Sequence, residues 1–142
     1  MFAVSAETFA KLIADKQMTV VCEMDPALTV VADPDLMMIV ANNLVNNAAK
    51  YGQEGGRIIL RAHQDGPKMV VEVYNDGRPI SPENRTALFK KFSRLDVPEK
   101  KKVKGTGLGL YITKQIIEGH GGQIDVEAKE NGNSFIFEIT KE

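Results

Sequence analysis

The stretch DPDLMMIVANNLVNNAAKYG, Asp33 to Gly52, sets how the rest of the chain is read. Asp33 has a short carboxylate that can accept from the free amides of a first helical turn. Pro34 suits the opening helical position, and Gly52 stands just past the last periodic residue. The spacing predicts one long helix over Asp33 to Tyr51. At about 100° of rotation per residue, Met37, Ala41, Leu44, Val45 and Ala48 share an arc that should face a core. Asn43, Asn47, Lys50 and Tyr51 share another side. Four of the six residues from Asn42 to Asn47 are asparagine, an indifferent helix former whose amide competes for backbone hydrogen bonds. That density needs a reason. An amide oxygen is a neutral ligand for a hard cation such as Mg²⁺, which binds beside phosphates. Lys50 can then meet phosphate oxygens, and the Tyr51 ring can cover a base. A solvent-facing polar stripe accounts for the same residues equally well.

Periodicity extends the map in both directions. Ser5 to Lys16 suits a short helix with Ser5 as N-cap and Phe9, Leu12 and Ile13 on one face. Met18 to Met24 and Leu28 to Ala32 read as strands joined through Asp25-Pro26. Arg57 to Gln64 and Lys68 to Asn75 form a hairpin around Asp65-Gly66-Pro67. A short helix, Glu83 to Phe92, follows Ser81-Pro82, and another, Gly107 to Glu118, ends at Gly121-Gly122. Two last strands, Gln123 to Lys129 and Ser134 to Thr140, pair across Asn131-Gly132. This order alternates too irregularly for a doubly wound sheet. It predicts an α+β two-layer sandwich, a mixed sheet covered on one face by helices.

The 142 residues, 43% hydrophobic and 26% charged with a net charge of −1, describe an ordinary globular chain. A chain of this size buries about 68–70% of its unfolded surface, enough for one self-sufficient domain over 1–142. The single Cys22 has no intrachain disulfide partner and no Cys/His cluster suggests zinc, so a reducing, cytoplasmic setting is expected. The longest apolar run, Leu36 to Ala41, is far short of the ~18 residues of a membrane span. Met1 to Ser5 lacks the pattern of a signal peptide. Near-neutral charge speaks against a nucleic-acid binder.

Locally the balance differs. Lys90 to Lys104 holds seven bases against Asp96 and Glu99, which is +5 and leaves the rest of the chain at −6. Directly after come six of the twelve glycines, Gly105, Gly107, Gly109, Gly119, Gly121 and Gly122. Backbone amides and lysines converging on one anion would need such a segment, and a solvated loop before a flexible turn would look the same.

Val70 to Tyr74 is an alternating strand that runs into Asn75-Asp76-Gly77-Arg78-Pro79-Ile80. An amide or carboxylate at a strand end can read a purine edge, with Gly77 letting the ring approach the backbone; an everyday turn is the alternative. Gly105-Thr106-Gly107-Leu108-Gly109-Leu110 opens a helix whose amides suit a di- or triphosphate. Its G-x-G-x-G spacing is neither the dinucleotide fingerprint nor a P-loop.

Taken in order, NLVNNAAKYG (Asn43 to Gly52), NDGRPI (Asn75 to Ile80), LFKKFSRL (Leu88 to Leu95) and GTGLGLYITKQIIEGHGG (Gly105 to Gly122) form one pattern. From about Val30 onward the chain resembles the ATP-binding catalytic domain of bacterial sensor histidine kinases, in the superfamily that also holds gyrase, Hsp90 and MutL ATPases. The four stretches look like its N, G1, F and G2 boxes. The resemblance implies a Bergerat-type ATP-binding fold and Mg²⁺-ATP as ligand. It implies that Asn47 holds Mg²⁺, that Lys50 contacts phosphate and that Tyr51 lies against adenine. Asn43 stands where the related ATPases place a water-activating glutamate, and a neutral amide suits a kinase that should not hydrolyse ATP. Asn75, Gly77 and Ile80 would contact the nucleotide from the second box. Lys104 and the loop Gly105, Thr106, Gly107, Leu108, Gly109 and Leu110 would hold the phosphates. A mobile lid over about 93–106 would be anchored at one end by Phe89 and Phe92.

Two positions depart from the commoner pattern. Asn75 stands where an aspartate usually accepts from the adenine amino group, and Pro79 where a second glycine is usual. The Asn75 carbonyl can accept that bond, more weakly than a carboxylate; the alternative is that Asp76 swings in. A phosphoacceptor histidine is not apparent. His63 reads as a surface strand residue and His120 as a helix-end residue bonded to backbone. The resemblance therefore implies a catalytic domain that donates the ATP γ-phosphate to a histidine on a separate dimerisation domain, with a response regulator as indirect partner. The isolated domain is expected to be a monomer, and whether a parent kinase is membrane-anchored stays open. Two other classes fit parts of the pattern: a serine kinase of the anti-sigma-factor type, and a nucleotide-binding regulatory module without transfer.

Overall fold

The computed structural model describes residues 2–24, 32–90 and 109–140. Two short helices, α1 (Phe2–Thr8) and α2 (Ala10–Asp15), lead into strand β1 (Thr19–Glu23). The long helix α3 (Pro34–Tyr51) follows, then the hairpin β2 (Arg57–Asp65) and β3 (Lys68–Asp76). A short α4 (Pro82–Ala87), then α5 (Gly109–Gly119), β4 (Gln123–Ala128) and β5 (Gly132–Thr140) complete the described chain.

The strands form one mixed sheet in the order β1-β2-β3-β5-β4, with β1 parallel to β2 and every other pair antiparallel. Strand alternation sends Met69, Val71 and Val73 of β3 and Phe135, Phe137 and Ile139 of β5 to one face. Onto that face pack Val40, Leu44, Val45 and Ala48 of α3 and Ile117 of α5, all buried. The helical arc expected to face the core does so. Asp33 caps α3 as expected: its Oδ1 accepts from the amides of Asp35 and Leu36 at 2.9 and 3.2 Å. The opposite sheet face carries the polar rows, including exposed His63 on β2, and the single thiol, Cys22, is exposed. Among the described residues no helix is long and apolar enough to cross a membrane.

The α+β two-layer reading matches, while several local expectations are corrected. The first helix is two helices, α1 and α2, parted at Phe9. Ser5 is not an N-cap. It lies inside α1, fully buried, and its hydroxyl donates to Asn42 Oδ1 at 2.7 Å, a partner 37 positions away that local pattern cannot reveal. Each hairpin strand runs one residue further: β2 to Asp65, which pairs with Lys68 around Gly66 at φ +60°, and β3 to Asp76, which pairs with Gly132 of β5. The β4–β5 turn centres on Glu130-Asn131 rather than Asn131-Gly132, since the Lys129 amide donates to Gly132 O at 2.8 Å. Gly132 is a strand residue there, and a Cβ on it would lie 2.2 Å from Asn75 O. α4 stops at Ala87, short of the expected end at Phe92. The turn at Asp25-Pro26, most of the strand Leu28 to Ala32, Phe92 and the lid over 93–106 lie outside the described residues; Ala32 itself is a bend.

Candidate functional site

The polar side of α3 is half-buried along its length at Asn43, Asn47, Lys50 and Tyr51. Asn43 is tied to the next helix. Its Nδ2 donates to Gly109 O and to Thr113 Oγ1, both at 3.1 Å, while the Thr113 hydroxyl donates to Gly109 O at 2.8 Å. Gly109 lies close enough that an added Cβ would touch the Asn43 amide at 3.7 Å. Thus α5 begins against the middle of α3, with Leu110 half-buried at the core edge. Asn47 follows one turn later, and among the described residues no hydrogen bond engages its amide. Lys104, Gly105, Thr106, Gly107 and Leu108 lie outside the described residues.

The end of β3 closes the other side. Asn75 continues the core-facing row of Val71 and Val73 and is 5% exposed, so strand alternation turns it toward the helical layer. Its Nδ2 donates to Asp76 O at 3.2 Å, leaving Oδ1 as the acceptor it can offer. Asp76 points to the opposite face. Its Oδ2 accepts from the Arg57 amide and Nε at 2.8 and 2.9 Å, and its Oδ1 from Arg57 Nη2 at 3.2 Å and Tyr74 Oη at 2.7 Å. The Arg57 guanidinium, aided by the Tyr74 hydroxyl, holds the Asp76 carboxyl down at about 2. Asp76 is therefore committed elsewhere, and Asn75 is the strand-end group on the site side. Gly77 is buried beyond it, where a Cβ would stand 3.3 Å from Tyr51 O and from Asn75 Nδ2. The Gln53 amide donates to Asp76 O at 2.7 Å. The strand end thus abuts the C-terminus of α3.

Two residues that sequence reasoning did not single out hold this arrangement. Lys16 Nζ donates to Ala49 O, Lys50 O and Gly52 O at 2.9, 2.8 and 2.6 Å, which satisfies carbonyls at the end of α3. Burial lowers the pKa of this ammonium, with Glu54 opposing the shift. Asn133, 5% exposed and opposite Asn75 in the β3–β5 register, spans the following loop. Its Nδ2 donates to Arg78 O at 2.9 Å and its Oδ1 accepts from the Ile80 amide at 2.8 Å. Neither role has a local sequence signal, because each side chain reaches partners more than thirty positions away.

His120 bonds backbone as expected, and more besides. Its Nδ1 donates to Ile116 O at 2.8 Å while Nε2 accepts from the Asp33 amide at 3.1 Å, which defines the tautomer and joins the end of α5 to the start of α3. Phe89 packs edge-on against Phe135 with ring centroids 6.1 Å apart, and Lys114 Nζ lies 5.8 Å above its ring.

Residues 32–142 match the family described as histidine kinase-, DNA gyrase B- and HSP90-like ATPase. The sensor protein VanS of Enterococcus faecium is 40% identical over 112 residues, covering 79% of this chain and 29% of VanS. The chain thus spans under a third of that relative's length. The solved catalytic domain of the histidine kinase ThkA superposes with a TM-score of 0.86 at 37% identity, covering 99% of this chain and 90% of that one. ThkA in complex with the response regulator protein TrrA matches at 32% identity and a TM-score of 0.80, over 99% of this chain and 39% of that one. Full-length ShkA in complex with AMPPNP matches at 26% identity and a TM-score of 0.81, over 97% of this chain and 28% of that one. The chain belongs to the histidine kinase-, DNA gyrase B- and HSP90-like ATPase family, as a catalytic domain of its histidine kinases.

Proposed function

We propose that the chain binds Mg²⁺-ATP between α3, the end of β3 and the start of α5, and donates the γ-phosphate to a histidine on a separate phosphoacceptor domain. The observation that carries this reading is the convergence of three sequence-distant motifs on one side of α3. Gly109 meets α3 at Asn43, Gly77 meets it at Tyr51, and Asn47 lies between these contacts. AMPPNP in the ShkA structure supports a nucleotide as the ligand class, and the ThkA–TrrA complex supports a response regulator as the downstream partner.

In this reading the adenine amino group donates to Asn75 Oδ1, with Gly77 and Ile80 along the base. Tyr51 lies beside the base and Lys50 reaches the phosphates. Lys104 and the loop Gly105 to Leu110 hold the phosphate chain. A hard cation fits the donor chemistry only together with the nucleotide. Asn47 supplies one neutral oxygen, and among the described residues no group of three or more His, Cys, Asp or Glu gathers to hold a metal. When bound, Mg²⁺ would neutralise phosphate charge beside the Asn47 oxygen. Phosphoryl transfer of this kind rests mainly on positioning and charge neutralisation, so the chain needs no general base of its own. Asn43 cannot serve as one: it is neutral, and its amino group is spent on Gly109 and Thr113.

Calorimetric titration with ATP, with and without Mg²⁺, tests the assignment on this chain and on Asn47→Ala. Saturable binding that strengthens with Mg²⁺ and loses that dependence in the variant is expected. No saturation at millimolar ATP would sink the nucleotide reading and leave the fold.

A further inference from the structure

The end of β3 carries Asn75, and the loop after it carries the other groups assigned to the base, Gly77 and Ile80, yet little of that loop's own sequence holds it in shape. Gly77 has no side chain, and Pro79 has no amide to donate. Arg78 and Pro79 are exposed. The loop is held from β5. The Asn133 amide donates to Arg78 O at 2.9 Å and accepts from the Ile80 amide at 2.8 Å, so one side chain grips the backbone on both sides of Pro79. The Gly77 amide adds a bond to Asn131 O at 2.9 Å from the same β4–β5 turn. Close contact makes the fit demanding: Gly132 approaches Asn75 O so nearly that no side chain could stand there. Asn133 is itself buried, in the same core-facing row as Phe135 and Phe137.

Resting on the nucleotide reading above, we propose that Asn133 is the positioning residue for base selection. It sets the Gly77–Ile80 loop against the strand end, so that a purine seated on Gly77 and Ile80 brings its amino group to the Asn75 carbonyl oxygen. Asparagine suits the task because it combines a donor and an acceptor at one reach. Aspartate keeps the acceptor for Ile80 but sets a carboxylate against Arg78 O. Alanine keeps neither bond. A base with a carbonyl where adenine has its amino group meets acceptor against acceptor at Asn75, and that rejection lasts only while the loop is held.

The test is titration of the chain, Asn133→Ala and Asn133→Asp with ATP, GTP and inorganic tripolyphosphate, each with Mg²⁺. Ile80 amide exchange is followed by NMR. The alanine variant is expected to lose about tenfold in ATP affinity, as one lost hydrogen-bonding group commonly costs. Its preference for ATP over GTP should fall toward unity, its tripolyphosphate affinity should stay within about twofold of the parent, and Ile80 exchange should accelerate. The aspartate variant should move the same way and carries the test if the alanine variant does not fold. Unchanged ATP affinity and preference in a folded variant would overturn the role of Asn133 alone. Equal losses for ATP and tripolyphosphate would also overturn it, by showing a general loosening of the site. A parent chain that binds no ATP would overturn the nucleotide reading together with this one.

Discussion

Asp76 takes four hydrogen bonds from Arg57 and Tyr74 while sitting one position from the group assigned to the base. Its carboxyl is held at about 2 against an ordinary 3.8, chiefly by the Arg57 guanidinium. A depressed folded-state value means that the unfolded chain binds the proton more readily. The stabilisation is therefore complete above pH 3.8 and is lost as the pH falls through about 2. Arg57 is more than half exposed, and solvent weakens the pair. Asp76→Asn is thus expected to cost about 1 kcal/mol at neutral pH and nothing at the acid limit. Urea melts of both proteins from pH 7 to pH 2 should converge toward the acid end, and a constant gap would refute the assignment. ATP affinity should change little at pH 7, because this side chain faces away from the site.

Helix α3 binds the layers together, and each of its ends is finished differently. Asp33 and His120 meet at the N-terminus. At the C-terminus Gly52 is in an extended conformation, and the ammonium of Lys16 satisfies carbonyls that helical geometry leaves unpaired. A positive charge there also opposes the negative end of the helix dipole. Lys16→Met keeps the stem and removes the charge and its donors. It should destabilise the domain by about 1–2 kcal/mol. The corresponding fall in Tm is about 3–8 °C, measurable by circular dichroism. Because Lys50 and Tyr51 occupy the same last turn, ATP affinity should weaken alongside. A variant with unchanged Tm would show that water replaces Lys16 without loss.

Among the described residues the mixed sheet has two edge strands, β1 and β4, and both are guarded. β1 is only five residues long and ends in Glu23, which pairs with Arg61 across the sheet. β4 is six residues long and carries exposed Asp125 and Glu127. Short, charged edges discourage strand addition between copies. The domain is accordingly expected to be monomeric, with a scattering mass of 15.6 kDa. Twice that value at micromolar concentration would contradict this. Residues before the family match also belong to the fold: Ser5 bonds α3, Lys16 closes it, and the Met18 side chain packs on Gly52.

Elements were legible because their patterns are local. The period of α3, its Asp33 cap, the Gly66 turn and the apolar alternation of β3 all lie within a few positions of one another, and backbone geometry turns such spacing directly into structure. The four motif stretches likewise announced the family. Sequence reading left Asn75 and Asp76 as alternatives; the folded sheet turns them to opposite faces and engages Asp76 with Arg57 on the far one. Ser5 was misread, and Lys16 and Asn133 were not singled out, for one reason. Their partners lie 33 to 55 positions away. Which distant backbone groups a buried polar side chain meets depends on strand order, register and helix packing, and those are settled only when the chain has closed on itself.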